Sequence, residues 1–432
     1  MTKLRTVIIW TAAAILCRLG TGCTSFAAYP MPFFGSAHAS AQTLSSVPAN
    51  VPSAAVPGNA VRLLIDGPAA FEAMFAAIER ARRSIDLQTY IFEADGLSQR
   101  ISELLVNKRA QGIEVNVLYD SVGSANTPPE VFQKLTDAGV HVCEFNPVNP
   151  AKSLSLSLNN RGHRKILVID SEVAFTGGIN ISKVYSSGSS SPRREAKRSD
   201  DRQQEGWRDT QVEVRGPAAA EFQRLFADSW QQQRCPAARA LHARESTRRG
   251  ETRVQVIGSS PKDQANPIYQ ELLSAIRTAR KSIYITMAYF VPDKQTLALL
   301  GDAARRGVDV QLILPGFSDS TVVLNAGRSY YATLLEAGVR IHERQDALLH
   351  AKTAVVDGAW SMIGSTNMDW RSFVHNDEVS AIILDPEFGS RMTKMFTDDL
   401  GKSIEIDRQA WSSRDGIARA KELWARLWAY WL

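Results

Sequence analysis

The chain has 432 residues, of which 44% are hydrophobic and 22% charged, and its formal net charge is +5. This length excludes a single ordinary core and favours two domains or one duplicated domain. The composition is that of a globular protein, and the small basic excess favours anionic partners, without choosing between acidic lipid headgroups and nucleic acid.

The first 23 residues are predicted to be a targeting segment. Lys3 and Arg5 precede an apolar run over 6–16, which has the length of a signal-peptide core and is short for a membrane span. The sequence LGTGC, which ends at Cys23, resembles a bacterial lipoprotein box, whose cysteine receives lipid. Lipidation of Cys23, a plain cleaved signal peptide and an uncleaved anchor are the three alternatives for this segment.

The next segment, 24–60, is rich in Ala, Ser and Pro and has no apolar periodicity, which predicts a tether. The folded region is expected to begin near Val61 with a strand. A helix should follow, because apolar residues recur at helical spacing between Phe71 and Ala81. The segment 85–91 then predicts another strand.

The body of the chain contains an internal duplication. The segment 78–85 (IERARRSI) matches 276–283 (IRTARKSI), and two H-x-K-x(4)-D motifs begin 187 residues apart, at His163 and His350. Helices alternate with strands in both copies, so we expect an α/β fold of two halves, each with a mixed sheet flanked by helices. The halves should pack about an approximate two-fold axis. We place them at 61–233 and 251–406.

Three segments do not follow the duplicated pattern. The first half carries an insertion at 186–205 that has almost no apolar residues, which predicts a disordered basic loop, either solvated or in contact with acidic headgroups. The stretch 234–250 reads as a basic linker. The C-terminal segment 407–432 predicts a tryptophan-rich amphipathic helix, which either lies in a lipid–water interface or docks on its own domain.

Two cysteines, Cys143 and Cys235, fall in the folded body. They can pair if the protein is exported to an oxidising compartment, and otherwise they are two unrelated thiols. No Cys or His neighbours them at ligand spacing, so they do not predict a metal site.

The two motifs carry the predicted chemistry. The apolar run in each indicates a strand, in which residues two apart share a face, so His163 projects with Lys165 and His350 with Lys352. Lysine supplies positive charge for phosphoryl oxygens, one imidazole can attack phosphorus to form a phosphohistidine, and the other can serve as general acid and base. Two histidines on opposite sides of phosphorus therefore suit phosphodiester chemistry without a metal or other cofactor.

Matched polar residues extend this site. The amides of one pair can donate hydrogen bonds to phosphate, and the carboxylates of a second pair can fix the tautomer of an imidazole. The aspartates that complete the motifs join the catalytic set in a structural or orienting role. These residues are Asn180 and Asn367, Asp209 and Glu378, Asp170 and Asp357, with Ser365 as a further orienting residue of the second half.

These residues resemble the phospholipase D superfamily, which is named for the paired motif. Within it, the chain is most similar to bacterial cardiolipin synthases, over segments such as 90–95 (YIFEAD), 350–358 (HAKTAVVDG) and 363–367 (IGSTN). The resemblance implies a duplicated phospholipase D fold with one active site between the halves. It also implies a phosphatidyltransferase that joins two phosphatidylglycerols and releases glycerol. His163 would be the nucleophile and His350 the general acid/base, or the reverse.

Several alternatives stay open at this point. A phospholipase D that uses water would share the same phosphohistidine, and a nuclease of the superfamily would share the motifs. A non-catalytic lipid-binding protein of the envelope is disfavoured by the intact motifs. We expect a monomer at the bacterial cell envelope that contacts a membrane surface and anionic phospholipid, phosphatidylglycerol above all, and not nucleic acid.

Overall fold

The computed structural model describes residues 54–148, 159–189, 206–236 and 246–428. The predicted targeting segment with Cys23, most of the tether, the insertion from 190 to 205, the middle of the linker and the last four residues lie outside this part of the chain. Within the described ranges, no helix has the length and apolar character that crossing a membrane requires.

In the first half, strands and helices alternate as the sequence predicts. Its strands are β1 (Val56–Ile65), β2 (Ser84–Thr89), β3 (Glu114–Asp120), β4 (His141–Phe145), β5 (Arg161–Gly162), β6 (Ile166–Ile169), β7 (Val173–Gly177) and β8 (Thr210–Arg215). Its helices are α1 (Asp66–Glu79), α2 (Gly96–Ala110), α3 (Pro129–Asp137) and α4 (Ala218–Gln232), with a 3₁₀ turn at Lys183–Tyr185. Strand β1 begins at Val56, so the fold starts within the segment that was predicted to be tether.

The second half repeats this pattern and adds a C-terminal extension. Its strands are β9 (Thr252–Ser259), β10 (Ser282–Met287), β11 (Asp309–Pro315), β12 (Arg340–Arg344), β13 (Lys352–Val356), β14 (Trp360–Gly364), β15 (Asn376–Leu384) and β16 (Ser403–Glu405). Its helices are α5 (Pro267–Thr278), α6 (Lys294–Arg305), α7 (Thr321–Arg328), α8 (Tyr331–Glu336), α9 (Pro386–Leu400), α10 (Arg408–Ser412) and α11 (Gly416–Arg426), with a π-helical turn at Arg371–His375.

The C-terminal segment forms two short helices where the sequence predicted one. The carboxylate of Asp407 accepts a hydrogen bond from the Ala410 amide at 2.7 Å, and that of Asp415 accepts one from Ala418 at 2.6 Å. Each aspartate therefore caps the start of a helix, and the second cap begins a new helix where the first one has ended.

The strands form one sheet in the order β16-β12-β11-β10-β13-β14-β15-β9-β1-β8-β7-β6-β2-β3-β4. Apart from β16, the order on one side of the β9–β1 boundary mirrors the order on the other. In each half three strands run parallel and the remaining strands of the path pair antiparallel, so both halves contribute a mixed sheet. The mirrored order confirms the predicted duplicated α/β fold.

Each half has its own apolar core, and a third core is shared between them. The shared core combines the inner strands with helix α4 of the first half and helix α9 of the second, including the fully buried Phe222 and Phe388. Helix α4 packs on β9 and α9 packs on β1, so each half covers an inner strand of the other. Burial of this apolar surface holds the halves together.

The structure pairs the two body cysteines. Cys143 of the edge strand β4 forms a disulfide with Cys235, which follows α4. The disulfide lies against a small cluster that includes Phe226 and Trp230. It therefore ties the outer edge of the first sheet half to the end of the helix that packs on the second half.

Candidate active site

The halves exchange short backbone segments next to the motif histidines. Strand β5 pairs in parallel with the first residues of β15, and the His163 amide donates to the Asp377 carbonyl at 3.0 Å. At the corresponding position on the other side of the site, Arg208 forms a parallel β-bridge with Leu349. The His350 amide donates to the Arg208 carbonyl at 2.8 Å. The backbone before each acid is thus bonded to the histidine of the opposite half.

This exchange brings each histidine onto a carboxylate of the other half. The Nδ1 atom of His163 lies 2.9 and 3.0 Å from the two carboxylate oxygens of Glu378, and that of His350 lies 2.7 Å from Asp209 Oδ2. All four side chains are buried. When Nδ1–H donates to the carboxylate, Nε2 is left unprotonated and available to a phosphorus atom.

The two motif lysines are buried beside the histidines. Lys165 Nζ donates to the His163 carbonyl at 2.9 Å, and Lys352 Nζ donates to the His350 carbonyl. Burial lowers the pKa of Lys165 to about 7 and that of Lys352 to about 8, although nearby carboxylates oppose the shift. An anionic phosphate placed here would raise both pKa values again, because it favours the charged ammonium.

The protonation states of the dyads follow from the same burial. Burial, followed by the charges of the two lysines, lowers the pKa of His163 well below its ordinary value, and burial with the Lys352 charge lowers that of His350. Burial also raises the pKa of Glu378 to about 7. Both imidazoles are therefore neutral near pH 7, which is the form that a nucleophile or general base requires.

The two predicted asparagines differ in their present contacts. Asn180 Oδ1 accepts from the Ile91 amide at 3.2 Å, and its Nδ2 donates to the Tyr185 hydroxyl at 3.0 Å. Asn367 is also buried, and its Oδ1 has no hydrogen-bond partner within the part of the chain that is described. The Asn367 amide thus has more hydrogen-bonding capacity left for a ligand than the Asn180 amide.

Ser365 contacts the acid of its own half. Its hydroxyl donates to Glu378 Oε2 at 2.5 Å and accepts from the Val379 amide at 3.0 Å. At the matching position of the first half, a Cβ on Gly178 would lie 2.2 Å from Asp209 Oδ1. Ser365 therefore orients the Glu378 carboxylate. The Asp209 carboxylate instead fills space that is available only because residue 178 is a glycine.

Asp170 and Asp357 complete the two motifs, and the sequence predicts a structural or orienting role for them. Both lie in hairpin turns with left-handed backbone, at φ 57° and 53°, which aspartate tolerates better than most residues. The Asp170 carboxylate accepts from the amides of Arg82, Arg83 and Ser84 at 2.7–3.0 Å. Asp357 accepts from the corresponding amides before β10 at 2.7–3.2 Å. These carboxylates anchor the turn after each motif strand to the start of a neighbouring strand.

Aromatic side chains that are not among the predicted site residues surround the histidines. The Tyr185 hydroxyl lies 3.4 Å from His350 Nδ1, and the Trp207 ring centroid lies 5.3 Å from that of His350. The Tyr90 ring lies 4.9 Å from that of His163. These rings exclude water from the imidazoles and strengthen the electrostatic interactions of the site.

Two of these aromatic residues have no aromatic counterpart at the aligned position of the other half. At the spacing of the motifs, Tyr185 aligns with Ser372, and at the spacing of the β2 and β10 segments, Tyr90 aligns with Ala288. A search for residues matched between the halves therefore passes over both. Trp207 precedes the Arg-Asp pair directly, and its neighbour Asp209 is the signal that could have drawn attention to it.

Two buried histidine–carboxylate dyads, two buried lysines and a duplicated mixed sheet define a phosphodiester-transfer enzyme of the phospholipase D superfamily. The family described as "Cardiolipin synthase, PLD-like domain" matches residues 74–189 and 272–400. Cardiolipin synthase 1 of Bacillus anthracis is 32% identical over 382 residues, which cover 85% of this chain and 71% of that one. The cardiolipin synthase of Geobacillus thermodenitrificans is 35% identical over 368 residues, covering 84% and 71%. The chain belongs to the cardiolipin synthase family.

Solved structures share the fold at low sequence identity. Phosphatidylserine synthase of Haemophilus influenzae superimposes with a TM-score of 0.65 at 13% identity and covers 85% of this chain and 92% of that one. Polyphosphate kinase of Porphyromonas gingivalis has a TM-score of 0.52 at 14% identity, covering 81% and 49%. Together with the family match, these likenesses confirm the predicted phospholipase D fold.

Proposed function

We propose that the protein joins two phosphatidylglycerol molecules into cardiolipin and releases glycerol, at a membrane of the bacterial cell envelope. The observation that carries the proposal is the pair of His–carboxylate dyads assembled across the two halves, His163–Glu378 and His350–Asp209. Family membership supports phosphatidylglycerol as the substrate, because the relatives are cardiolipin synthases.

The first step forms a covalent intermediate. His163 Nε2 attacks the phosphorus of a bound phosphatidylglycerol, and the bond from phosphorus to the headgroup glycerol oxygen breaks. Protonated His350 gives its proton to the leaving glycerol oxygen, and the Asp209 carboxylate stabilises that imidazolium before transfer. The phosphate charge itself favours protonation of His350 when the substrate binds.

The second step transfers the phosphatidyl group. A hydroxyl of a second phosphatidylglycerol loses its proton to the neutral His350, and its oxygen attacks phosphorus while the phosphorus–nitrogen bond breaks. His163 is then free again, and His350 is protonated for the next cycle. Lys165 and Lys352 neutralise the charge that builds on the phosphoryl oxygens in both transition states, and the amides of Asn180 and Asn367 hydrogen-bond the same oxygens.

Product analysis tests this function directly. The full chain is incubated with phosphatidylglycerol vesicles, and lipids and free glycerol are quantified. We expect cardiolipin and glycerol in equal amounts, because each transfer releases one headgroup. Phosphatidic acid with glycerol would instead identify a hydrolase, and the absence of all three products would point to another diester.

Replacement of the histidines tests the mechanism. We expect His163→Ala and His350→Ala each to lower cardiolipin formation by at least about 10³-fold, because each removes a group that one step requires. His141→Ala is the matched control, since His141 lies on the edge strand β4 and contacts Asn116. Substantial activity in either active-site variant would contradict the two-histidine mechanism.

Labelling distinguishes the two histidine roles. With a p-nitrophenyl phosphatidyl ester labelled in its phosphatidyl group, whose leaving group needs no proton, His350→Ala should retain label on the protein, because the intermediate forms without a general acid but no general base activates its acceptor. His163→Ala should retain none. The opposite pattern would exchange the assigned roles, and the labelled residue can be identified by peptide mass analysis.

A further inference from the structure

The C-terminal helix α11 packs on the domain with one face. Ala425 is buried in a small cluster with Val323, Ala326 and Tyr330, the first two of which belong to α7. The Arg426 guanidinium lies 4.7 Å above the Tyr330 ring. The sequence left two alternatives for this helix, a position in a lipid–water interface or docking on its own domain. On this face the structure shows the docked helix.

Other side chains of the helix are large, apolar and exposed, and the Trp424 and Trp428 rings pack on each other at a centroid distance of 6.0 Å. Five large side chains along α11 and the turn after it are between 48% and 78% exposed: Ile417, Leu423, Trp424, Leu427 and Trp428. They make up five of the ten large hydrophobic residues that are exposed in the described ranges. We call these five residues the α11 apolar face. So dense an apolar patch in a water-exposed position is typical of a surface that contacts a partner.

A groove extends this face toward α7. Its volume is about 640 Å³, and its walls include Thr321, Val322 and Asn325 of α7 together with Ile417, Ala420 and Trp424. The groove is open and mostly apolar, so apolar chains rather than a polar ligand suit it.

One wall of the groove is connected to the His350 side of the active site. Asp319, two residues before α7, accepts a hydrogen bond from the Tyr289 hydroxyl at 2.7 Å. The residue before Tyr289 is Ala288, whose amide donates to the carbonyl of Ala351, between His350 and Lys352, at 3.0 Å. The start of α7, which forms one wall of the groove, is therefore connected through Asp319 and Tyr289 to the backbone between His350 and Lys352.

Charge and residue type favour a lipid surface as the partner. Arg419, Lys421 and Arg426 are exposed on α11, whereas the one acidic side chain inside the helix, Glu422, is buried and paired with Arg414 at 2.6 Å. A basic rim around an apolar face complements anionic headgroups above acyl chains, and tryptophan prefers that boundary. A second copy of the same face would bring like charges together.

We propose that the α11 apolar face and its groove dock on the surface of an anionic phospholipid bilayer, with Trp424 and Trp428 at the boundary between headgroups and acyl chains. The choice of a bilayer rests on the proposed function, in which both substrates are membrane lipids. Docking on this side brings the active site to the lipid surface, so a phosphatidylglycerol can reach the dyads without leaving the bilayer completely.

Hydrogen–deuterium exchange on the full chain tests the docking surface itself. We expect amide exchange over 417–428 to slow at least tenfold when phosphatidylglycerol vesicles are added, and to slow less with phosphatidylcholine vesicles. This local measurement does not depend on any anchor at the N-terminus. Unchanged exchange with vesicles, or slowing that follows protein concentration without vesicles, would overturn the proposal, the latter in favour of self-association.

A double variant connects docking with catalysis. Trp424→Ser/Leu427→Ser should lower vesicle affinity at this surface and the initial rate on bilayer substrate at least tenfold. It should leave the rate on short-chain phosphatidylglycerol dispersed in detergent unchanged. Leu384→Ser/Ile404→Ser, at two exposed apolar positions outside α11, is the matched control. Equal effects of the two variants would contradict the proposal.

The two proposals fail in different ways. Slowed exchange with no cardiolipin would leave the docking surface standing and remove the proposed reaction. Cardiolipin formation from detergent-dispersed substrate with unchanged exchange at 417–428 would retain the reaction and remove the docking surface.

Discussion

Lys165 and Lys352 are ionisable side chains held almost entirely away from water. Their pKa values, lowered by burial to about 7 and about 8, mean that without an anion the ammonium form is only weakly favoured at neutral pH. A bound phosphate diester compensates the buried charge. Both lysines are therefore protonated to the greatest extent when the substrate phosphate is bound.

The pH dependence of turnover follows from these residues. As the pH rises through about 7, Glu378 loses its proton and can hold the Nδ1–H tautomer of His163, so kcat/KM should rise. As the pH rises further past about 7 to 8, the lysines lose charge, so kcat/KM should fall. Initial rates at subsaturating phosphatidylglycerol should give a narrow bell between these limits.

Two comparisons check this assignment. Bound phosphate raises the lysine pKa values, so the basic limb of kcat should lie at higher pH than the basic limb of kcat/KM. The Glu378→Gln variant has no ionisable group at this position, so the pH profile of its much lower activity should lack the acidic limb. An acidic limb that persists in this variant would assign that titration to another group.

At the scale of elements, the four residues that separate Lys from Asp in each motif lie in a strand. Their number therefore sets the distance between the two side chains. Lys165 and Asp170 are five residues apart, and a strand rises about 3.3 Å per residue, so their backbones lie on the order of 15 Å apart along β6. Lys165 and Asp170 therefore cannot both contact the same phosphate. The aspartate ends the strand and binds three backbone amides, and the spacing of the motif reflects this construction.

The disulfide gives a prediction at the same scale. Cys143 and Cys235 are 92 residues apart, so their bond restricts a long loop of the unfolded chain. We expect Cys143→Ser/Cys235→Ser to lower the free energy of unfolding by about 2–4 kcal/mol and to leave activity at 25 °C nearly unchanged, because the bond contacts a core cluster and not the histidines. Urea denaturation measures the first effect.

Reduction supplies the control for this variant. Dithiothreitol should move the urea midpoint of the unaltered protein toward that of the double variant and have no effect on the variant. A common midpoint for oxidised, reduced and substituted protein would show that the bond contributes nothing to stability.

At the scale of the whole molecule, a buried ionic cluster connects the halves behind one dyad. Arg208 of the first half donates to Asp399 of α9 at 2.8 Å, and Arg344 of β12 donates to the same carboxylate at 2.5 Å. Arg208 directly precedes Asp209, the partner of His350. The packing of the halves and the geometry of the active site therefore depend on the same residues.

Removal of the shared carboxylate tests this link. We expect Asp399→Asn to lower the free energy of unfolding by about 3–5 kcal/mol and to lower kcat by displacing Asp209. The variant removes the carboxylate that two buried guanidinium groups share, and leaves Arg208 with Asp66 and Arg344 with Asp346. Asp398→Asn is the control, since Asp398 is exposed and pairs with Lys394 on the surface; its effect should stay below about 1 kcal/mol. Similar losses in both variants would contradict the cluster's role.

The sequence by itself determined the α/β class, the duplication and most of the polar residues of the candidate site. These are local or repeated signals: helical spacing in α1, two-residue spacing of His and Lys, and equal intervals in both copies. It also misplaced local details of the same kind, such as the start of β1 and the division of the C-terminal segment into α10 and α11. Those depend on pairing with β8 and β9 and on individual capping residues.

Only the tertiary structure decided which acid serves which histidine. The two copies align Asp209 with the first half and Glu378 with the second, yet His163 binds the acid 215 residues away and His350 the acid 141 residues away. The physical reason is the parallel pairing of β5 with β15 and of Arg208 with Leu349, which forms only when the halves pack. The same holds for Tyr185, for the disulfide and for the exposed face of α11, because each depends on contacts between segments far apart in the chain.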